Sequence, residues 1–380
     1  MGNPEENIVL DPSDPVELTR QLCNIPSVSG DEKRIADAIE ALLRGAQHLS
    51  VYRDGDTLVA RTELGRAKRV IIAGHIDTVP INENLPVRDI VELASLGSAS
   101  VSAESGEGEA MIWGRGTVDM KAGAAVQLSL ALELSAPAVD VTWVWYDHEE
   151  VASELNGLGR TLRGRPELFE GDFAILCEPS NGAIEGGCNG TLRARVSMLG
   201  KRAHSARSWM GVNAIHRAGD LLQRLAAYEA RTVLVDGLEY REGLNAVRVS
   251  GGVAGNVIPD RVDIDVNYRF APNQSADEAV QFVREFFADA DEVEIVDLAD
   301  GARPGLDAPF ALGFVRAVGS EPRAKVGWTD VARFSALGIP AVNFGPGDPS
   351  LAHADDERVP IAQIEQAASS LRRWLTSAEA

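Results

Sequence analysis

Cysteine and positive charge are scarce in this sequence of 380 residues. Cys23, Cys177 and Cys188 are its three cysteines, and no two of them form a CxxC pair. So few dispersed cysteines argue against a disulfide framework and favour a reducing compartment. Lys and Arg number 36 against 57 Asp and Glu, a net charge of −21. Because a phosphate backbone requires a cationic face, this charge argues against nucleic acid as a partner.

Long apolar runs are absent as well. None approaches the roughly 18 residues of a membrane-spanning helix. The acidic first residues, MGNPEENIVLDPSDP, lack the basic and apolar regions of a signal peptide. The sequence contains neither a P-loop nor the GxSxG motif of serine hydrolases. We therefore expect a cytoplasmic protein with no membrane partner.

Most of the chain has the alternating pattern of an α/β fold. The nearly continuous apolar runs RVIIAG (69–74), VTWVWY (141–146) and FAILC (173–177) are typical of strands buried on both faces. Helical patterns at Lys121–Leu134 and Pro360–Ala378 alternate with such strands. This order predicts a sheet with parallel strand pairs.

A different pattern begins near residue 183, where strands alternate between apolar and polar positions. The successive elements are strand, helix, strand, strand, helix and strand, at Thr191–Leu199, Val212–Tyr228, Asn245–Val253, Asp260–Phe270, Ala276–Ala288 and Val293–Asp297. This order predicts a ferredoxin-like α+β unit. We therefore divide the chain into a catalytic domain of residues 1–182 and 298–380 and an inserted domain of residues 183–297. The low-complexity residues 91–110 predict a solvated loop.

Histidines and carboxylates follow the predicted core strands. They are His75 and Asp77, Asp119, the run His148-Glu149-Glu150, Glu178 and His353. Ligands of open α/β sheets bind beyond the carboxyl ends of the strands, and these residue types are the ligands of catalytic zinc. The set suits a pair of divalent ions that polarise a carbonyl and activate a water. Taken singly, each residue also fits a core, surface or helix-capping role, which we expect for His48, His148 and His216.

Glu149 and Glu150 are adjacent in sequence, and this predicts different roles for their two carboxylates. On extended backbone, adjacent side chains point to opposite sides. One carboxylate can then bind metal while the other faces the substrate as general base. Asp77, two residues after His75, is well placed to orient the imidazole of that ligand.

Five motifs resemble, in order, the signature set of the di-zinc aminoacylase/carboxypeptidase superfamily. They are Gly74-His-Ile-Asp-Thr-Val-Pro80, Gly114-Arg-Gly-Thr-Val-Asp-Met-Lys-Ala-Gly123, Asp147-His-Glu-Glu150, Cys177-Glu-Pro-Ser180 and the late His353. In the insert, Gly200-Lys-Arg-Ala-His-Ser205 and Gly255-Asn-Val-Ile-Pro-Asp260 resemble the superfamily's lid. The resemblance spans nearly the whole chain. It implies a di-zinc exopeptidase-like α/β domain with an inserted ferredoxin-like lid that forms a homodimer.

The resemblance also implies a role for each site residue. His75 and Glu178 would hold one zinc, Glu150 and His353 the other, and Asp119 would bridge both. Cobalt or manganese in place of zinc stays open. Glu149 would be the general base and acid, and Asp77 the partner of the ligand histidine. The lid residue His204 would donate to the developing oxyanion, and the implied substrate contacts are Arg269, Asn256 and Thr329.

Three stretches, Thr78–Pro86, Glu154–Gly159 and Gly186–Thr191, are similar to the actinobacterial branch of succinyl-diaminopimelate desuccinylases. This similarity implies hydrolysis of the small-molecule N-acyl diamino acid N-succinyl-LL-2,6-diaminopimelate in lysine and cell-wall precursor synthesis. The chain has Cys188-Asn189 where proteobacterial enzymes carry arginines, so we expect a different arginine to bind the carboxylate; the candidates are Arg193, Arg202 and Arg207. An acetylornithine deacetylase-like enzyme, another N-acyl-amino-acid deacylase and a dipeptidase stay open, as does an inactive binding module.

Overall fold

The computed structural model describes residue 8, residues 10–92 and residues 108–377. The α-helices of these ranges are α1 (Pro15–Cys23), α2 (Lys33–Gly45), α3 (Lys121–Glu133), α4 (Gly157–Gly164), α5 (Ala214–Arg217), α6 (Gly219–Ala226), α7 (Ala276–Phe286), α8 (Pro309–Val318), α9 (Val331–Ala336) and α10 (Ile361–Leu375). The strands are β1 (Ser50–Asp54), β2 (Thr57–Arg61), β3 (Arg69–His75), β4 (Arg88–Glu92), β5 (Glu109–Trp113), β6 (Asp140–Tyr146), β7 (Phe173–Leu176), β8 (Glu185–Gly186), β9 (Gly190–Leu199), β10 (Ala203–His204), β11 (Thr232–Val235), β12 (Leu238–Arg241), β13 (Gly243–Gly251), β14 (Val257–Ile258), β15 (Arg261–Phe270), β16 (Glu292–Ala299), β17 (Arg323–Ala324), β18 (Ala341–Asn343) and β19 (Arg358–Pro360).

The chain divides into two compact units. The first comprises Met1–Glu185, Gly305–Pro322 and Leu337–Ala380, and the second comprises Gly186–Pro304 and Arg323–Ala336. The second unit therefore includes residues 323–336, which the sequence analysis assigned to the catalytic domain. The domain boundaries after residues 182 and 297 stay a prediction.

The first unit contains a mixed sheet. The strands of this sheet that lie within the first unit have the order β1-β2-β6-β3-β7-β18. Strands β6, β3, β7 and β18 run parallel, and β2 is antiparallel to β6. β6 is buried along its whole length and β3 at every residue after Arg69. Burial on both faces explains why these strands are continuous apolar runs. Because parallel strands end at the same edge of the sheet, the residues that follow them lie together.

Helix α3 is buried on all sides, because it packs against the first unit's sheet and against helices α1 and α10. Its residues from Lys121 to Ala131 are all buried. A methyl group on Gly123 would stand 2.1 Å from the carbonyl oxygen of Cys177, so only glycine allows this close approach. The helix therefore lies directly against the segment that carries Glu178.

A small antiparallel sheet of order β19-β5-β4 also belongs to the first unit. It corrects part of the predicted solvated loop of residues 91–110. The residues on either side of residues 93–107 form strands β4 and β5, which pair with each other. Residues 93–107 themselves lie outside the described residues.

The second unit is built on a four-stranded antiparallel sheet of order β13-β15-β9-β16. Helices α5, α6 and α7 pack against it over a core that includes Leu192, Ile264 and Val283. This is the predicted ferredoxin-like fold. The predicted helix Val212–Tyr228 is two helices, because α5 ends at Arg217 and α6 begins at Gly219. No helix among the described residues is both long and apolar enough to cross a membrane.

Candidate metal centre

The predicted metal ligands all belong to the first unit, and three of them lie at the ends of its strands. His75 is the last residue of β3, Glu150 follows β6, and Glu178 follows β7. Asp119 lies just before α3, and His353 lies in the turn between β18 and β19. The parallel strands thus deliver three of the five residues to one edge of the sheet.

Two clusters with a shared member emerge from this placement. His75, Asp119 and Glu178 each place a ligand atom within 4.8 Å of the others, and so do Asp119, Glu150 and His353. Their membership is the one that the superfamily resemblance implies, with Asp119 common to both. Individual contacts are closer: Oδ1 of Asp119 lies 3.0 Å from Nε2 of His75, and its Oδ2 lies 3.3 Å from Nε2 of His353. One carboxylate therefore spans the two histidines.

The carboxylates of the site favour positive charge on the groups beside them. Burial opposes a charged imidazole, but the carboxylates of Asp119 and Asp77 raise the pKa of His75 well above 6.5. Asp119 and Glu150 raise the pKa of His353 to about 10. Burial likewise opposes the charged carboxylate of Asp119, yet the two imidazoles lower its pKa below the ordinary value. Protons on the histidines thus balance carboxylates at positions where a divalent cation would do the same.

The donor atoms fit a divalent metal centre. Nδ1 of His75 lies 3.0 Å from the backbone oxygen of Asp77, and because a carbonyl oxygen only accepts, Nδ1 carries a proton. This tautomer leaves Nε2, the nitrogen that faces Asp119, to bind a metal. Imidazole nitrogens and carboxylate oxygens are also the ligands of catalytic zinc.

Asp77 has more partners than the sequence predicts. Its Oδ1 accepts the backbone N–H of Glu149 at 3.0 Å. Its Oδ2 accepts the backbone N–H of Glu150 at 3.0 Å and the hydroxyl of Ser29 at 2.6 Å. The carboxylate of Asp77 lies 3.4 Å from Nδ1 of His75, whereas the backbone oxygen of Asp77 lies closer to that nitrogen, at 3.0 Å. The side chain therefore fixes the glutamate pair at least as directly as the imidazole.

The two adjacent glutamates do not diverge as extended backbone would make them. Glu149 and Glu150 each place a carboxylate oxygen within 4.8 Å of a nitrogen of His75 and of one another. They lie outside any strand, after His148, whose φ of 57° is left-handed. The backbone N–H of His148 donates to the buried carboxylate of Glu32 at 3.1 Å. This turn brings both carboxylates to one site.

Sequence reasoning missed several residues that support the site. Ser29 and Glu32, which lie between α1 and α2, are two of them. Arg115 and Glu357 form a buried ion pair of 2.8 Å beside Asp119 and His353. The available signal was an arginine inside the glycine-rich motif at residues 114–116, because a buried arginine requires an acidic partner.

The remaining predicted residues belong to the second unit. His204 is exposed on β10, and its Nδ1 accepts the N–H of Ala206 at 3.1 Å, so in the neutral ring Nε2 carries the proton. Asn256 lies beside it, because its backbone oxygen accepts the N–H of Ser205 at 2.9 Å. Thr329 is buried, and its backbone oxygen lies 3.7 Å from the thiol of Cys188.

The arginines of the second unit differ in the hydrogen bonds and ion pairs that their guanidinium groups form. Among the described residues, Asn267 is the only hydrogen-bond partner of the Arg269 guanidinium, at 3.2 Å, and burial lowers the pKa of Arg269. Three arginines are candidates to replace those that proteobacterial enzymes carry in place of Cys188-Asn189. Of these, Arg193 and Arg202 form ion pairs of 3.1 and 2.7 Å with aspartates. Arg207 has no ion pair within the described part of the chain.

The sequence profile of peptidase family M20/M25/M40 matches residues 71–377. The chain belongs to peptidase family M20/M25/M40. This confirms the superfamily resemblance, and M20 enzymes are metallohydrolases that use divalent metals, usually zinc. The two clusters are therefore the candidate metal centre of an M20 enzyme.

Curated M20 relatives match over nearly the full length. The chain is 52% identical over 364 residues to a Mycobacterium tuberculosis (strain ATCC 25618 / H37Rv) protein provisionally named succinyl-diaminopimelate desuccinylase, which covers 95% of this chain and 98% of the relative. It is 47% identical over 373 residues to the succinyl-diaminopimelate desuccinylase of Corynebacterium glutamicum, which covers 96% of both.

Solved M20-type structures share the fold. A tripeptidase from Staphylococcus aureus aligns with a TM-score of 0.73 and 21% identity, over 98% of this chain and 99% of its own. A metallo-carboxypeptidase of family M20 from Sulfolobus solfataricus aligns with a TM-score of 0.71 and 17% identity, over 96% and 99%. At such identities the likeness establishes the architecture, an α/β domain with an inserted α+β domain.

Proposed function

We propose that this chain is a metal-dependent succinyl-diaminopimelate desuccinylase. It hydrolyses N-succinyl-LL-2,6-diaminopimelate to succinate and LL-2,6-diaminopimelate in the synthesis of lysine and diaminopimelate. The observation that carries the substrate is the 47% identity to the Corynebacterium glutamicum desuccinylase over 96% of both chains. The clusters by themselves support metal-dependent amide hydrolysis. A biosynthetic enzyme of this kind belongs in the cytoplasm, which is where we place it.

We assign two divalent ions, zinc in the first instance, to the two clusters. His75 and Glu178 would hold one ion, Glu150 and His353 the other, and Asp119 would be common to both. The contacts of Asp119 with both imidazoles, at 3.0 and 3.3 Å, support its bridging role. When bound, such ions polarise the amide carbonyl and lower the pKa of a water molecule.

Glu149 is the general base and acid of this proposal. Among the described residues it is the one carboxylate grouped with His75 that is absent from both clusters containing Asp119. We assign to it the role of accepting a proton from the attacking water. It then donates that proton to the departing nitrogen, because an amine leaves only once it is protonated. Asp77 holds the backbone of Glu149 in place during both transfers.

The second unit supplies the substrate contacts of the proposal. Arg269 has guanidinium donors beyond its single bond to Asn267, and these suit a substrate carboxylate. The Nδ1 contact of His204 leaves its Nε2 as a donor in the neutral ring, and a hydrogen-bond donor is what stabilises a developing oxyanion. We assign Asn256 and Thr329 to substrate binding from the family resemblance.

We further propose that the enzyme is a homodimer formed by the second unit. Strand β13 lies at the edge of the sheet, and its residues from Asn245 to Gly251 are all exposed. Val247 and Val249 are 63% and 50% exposed. Apolar edge strands of this kind pair with another chain or aggregate, so a second copy is a suitable cover.

The test compares hydrolysis of N-succinyl-LL-2,6-diaminopimelate with that of N-acetylornithine and a dipeptide, using zinc- or cobalt-loaded protein. We expect a clear preference in kcat/KM for the succinyl substrate. Glu149→Gln should lower kcat about 10²- to 10⁴-fold while leaving the metal content unchanged, as expected for loss of a general base. A preference for either other substrate would overturn the substrate assignment.

A matched control separates loss of the base from loss of charge. Glu154 is an exposed glutamate of the same loop, and it makes no hydrogen bond within the described residues. Glu154→Gln therefore changes the same functional group and the net charge by the same amount. We expect its kcat to equal that of the unmodified protein, and an equal loss in both variants would contradict the role of Glu149.

A further inference from the structure

The carboxylate of Glu357 is fully buried and accepts four hydrogen bonds. Its Oε1 accepts the backbone N–H groups of Val118 at 2.8 Å and Asp119 at 3.0 Å. Its Oε2 accepts the N–H of Gly116 at 3.1 Å and Nη1 of Arg115 at 2.8 Å. A charge removed from water is tolerated only when it is paired and its oxygens are bonded. Glu357 meets this condition entirely with residues 115–119.

Arg115 extends the connection to a second loop. While its Nη1 donates to Glu357, its Nη2 lies 3.4 Å from the backbone oxygen of His353. Gly116, with a left-handed φ of 81°, provides the turn that directs its N–H toward the same carboxylate. The segments 114–119 and 353–357 are thus joined through one ion pair, although Arg115 and Glu357 are 242 positions apart.

Each of these two segments carries one proposed metal ligand. Asp119 ends the first segment and His353 begins the second, and both belong to the cluster completed by Glu150. Glu357 bonds the backbone of Asp119, and Arg115 approaches the backbone of His353, so neither needs to touch a ligand side chain. Glu357 and Arg115 can therefore act on the two ligands only through the position of the backbone that carries them.

We infer that Glu357 and Arg115 are positioning residues that set the spacing of Asp119 and His353 for a divalent ion. The inference rests on the proposed metal ligands and adds to them two residues outside the ligand set. Outer residues that orient metal ligands typically change metal affinity about 10- to 100-fold when they are removed. A purely structural ion pair would change thermal stability instead.

The test is Glu357→Gln, followed by calorimetric titration of the metal-free protein with Zn²⁺ or Co²⁺. Glutamine keeps the shape, but it has one oxygen for two donors and turns an NH₂ group toward the other two. We expect the ion at the cluster of Asp119, Glu150 and His353 to bind about 10- to 100-fold more weakly. Hydrolysis should recover when free metal is raised. Unchanged metal affinity, even with a lower Tm, would overturn the inference.

Two further variants keep the test decisive. Arg372 pairs with Glu133 at 2.7 Å, and both residues lie outside the two ligand segments, so Arg372→Gln removes an ion pair of the first unit without touching either segment, and wild-type affinity is expected. If Glu357→Gln does not fold, Arg115→Lys replaces it, because one ammonium cannot reproduce the two-pronged contact of Arg115. Wild-type affinity in Arg115→Lys would overturn the inference.

The outcomes also separate this inference from the proposed function. If the unmodified protein binds no divalent ion, the proposed function fails. If it binds metal and hydrolyses the succinyl substrate while Glu357→Gln binds as tightly, only the positioning inference fails. Glu357→Gln combined with Arg115→Lys should bind no more weakly than the weaker single variant, since residues that act as one pair are not additive.

Discussion

The backbone N–H of Glu150 donates to the Asp77 carboxylate at 3.0 Å, beside the matching bond from Glu149. One aspartate thus holds the backbone of a proposed metal ligand and of the proposed general base. Asp77→Asn leaves a single oxygen for two N–H donors, so one glutamate is released. We predict about a 10- to 100-fold loss in kcat, as for other residues that orient metal ligands.

Ser29→Ala is the matched control for Asp77→Asn. It removes the hydroxyl contact of 2.6 Å with Asp77 but keeps both oxygens for the two N–H groups. Steady-state kinetics with metal analysis should give the larger loss of kcat for Asp77→Asn. Equal losses in both variants would mean that the contact with the two glutamates is not what matters.

Metal stoichiometry provides a separate prediction, because the two clusters share one member. His353→Gln and Glu178→Gln each damage one cluster, so each variant should keep about one tightly bound ion of the proposed two. Asp119→Asn damages both and should keep neither. Elemental analysis after dialysis against a defined free zinc concentration measures this.

His48→Gln is the control for these histidine changes. His48 contacts the backbone oxygen of Ala131 at 2.9 Å and is a member of none of the ligand groups found in the described residues. It should keep both ions. Loss of both ions from His353→Gln would contradict the division into two clusters.

The two edges of the second unit's sheet allow a matched test of the dimer. Val249 on β13 and Val296 on β16 are 50% and 51% exposed. Val249→Glu should shift the sedimenting mass from two chains toward one, because it places a charge in the proposed interface. Val296→Glu makes the same chemical change at the opposite edge and should leave the dimer intact. A dimer that persists in Val249→Glu would contradict the choice of β13.

Acid stability should depend on Asp140, a buried carboxylate that belongs to none of the ligand groups found in the described residues. Burial opposes its charge, but the N–H groups of Leu64 and Arg66, both at 2.8 Å, hold its pKa below 3.8. The stability it contributes is therefore complete above pH 3.8 and is lost as pH falls through the lowered pKa. Asp140→Asn should cost about 1–3 kcal/mol at neutral pH, the range for an unsatisfied buried donor.

Tm measured from pH 7 to pH 3 checks this expectation. The gap between the unmodified protein and Asp140→Asn should be widest at neutral pH and should narrow below pH 3.8. Asp31 is exposed, and Asp31→Asn, which removes one carboxylate at the surface, should leave Tm nearly unchanged. A gap that stays constant to pH 3 would contradict the lowered pKa.

The sequence predicts the parts of this protein that local pattern controls. FAILC is a buried strand because it is apolar throughout, and a charged residue directly after it, Glu178, must lie at the sheet edge. The same reasoning places His75. The predicted α3 differs by one residue at its end, Glu133 rather than Leu134. Burial on both faces leaves little freedom, so periodicity and position suffice.

Contacts between distant segments escape such analysis. In Asp355-Asp356-Glu357 the pattern is that of a solvated acidic turn, yet Glu357 is fully buried by an arginine from elsewhere in the chain. The left-handed φ of His148 likewise occurs together with a contact to the distant Glu32, and the resulting turn overrides the expectation for neighbouring side chains. A single sequence carries no direct record of either pairing.

The order of the ligands along the chain fixes the order in which they are synthesised. His75, Asp119 and Glu178 are all synthesised before the second unit begins at Gly186. His353 and Glu357 emerge only after that unit is complete. The first ligand trio is therefore synthesised before the second unit, whereas the second trio is complete only once His353 has been added. Under the proposed mechanism, a chain that ends before residue 353 lacks a ligand of the second trio and is inactive.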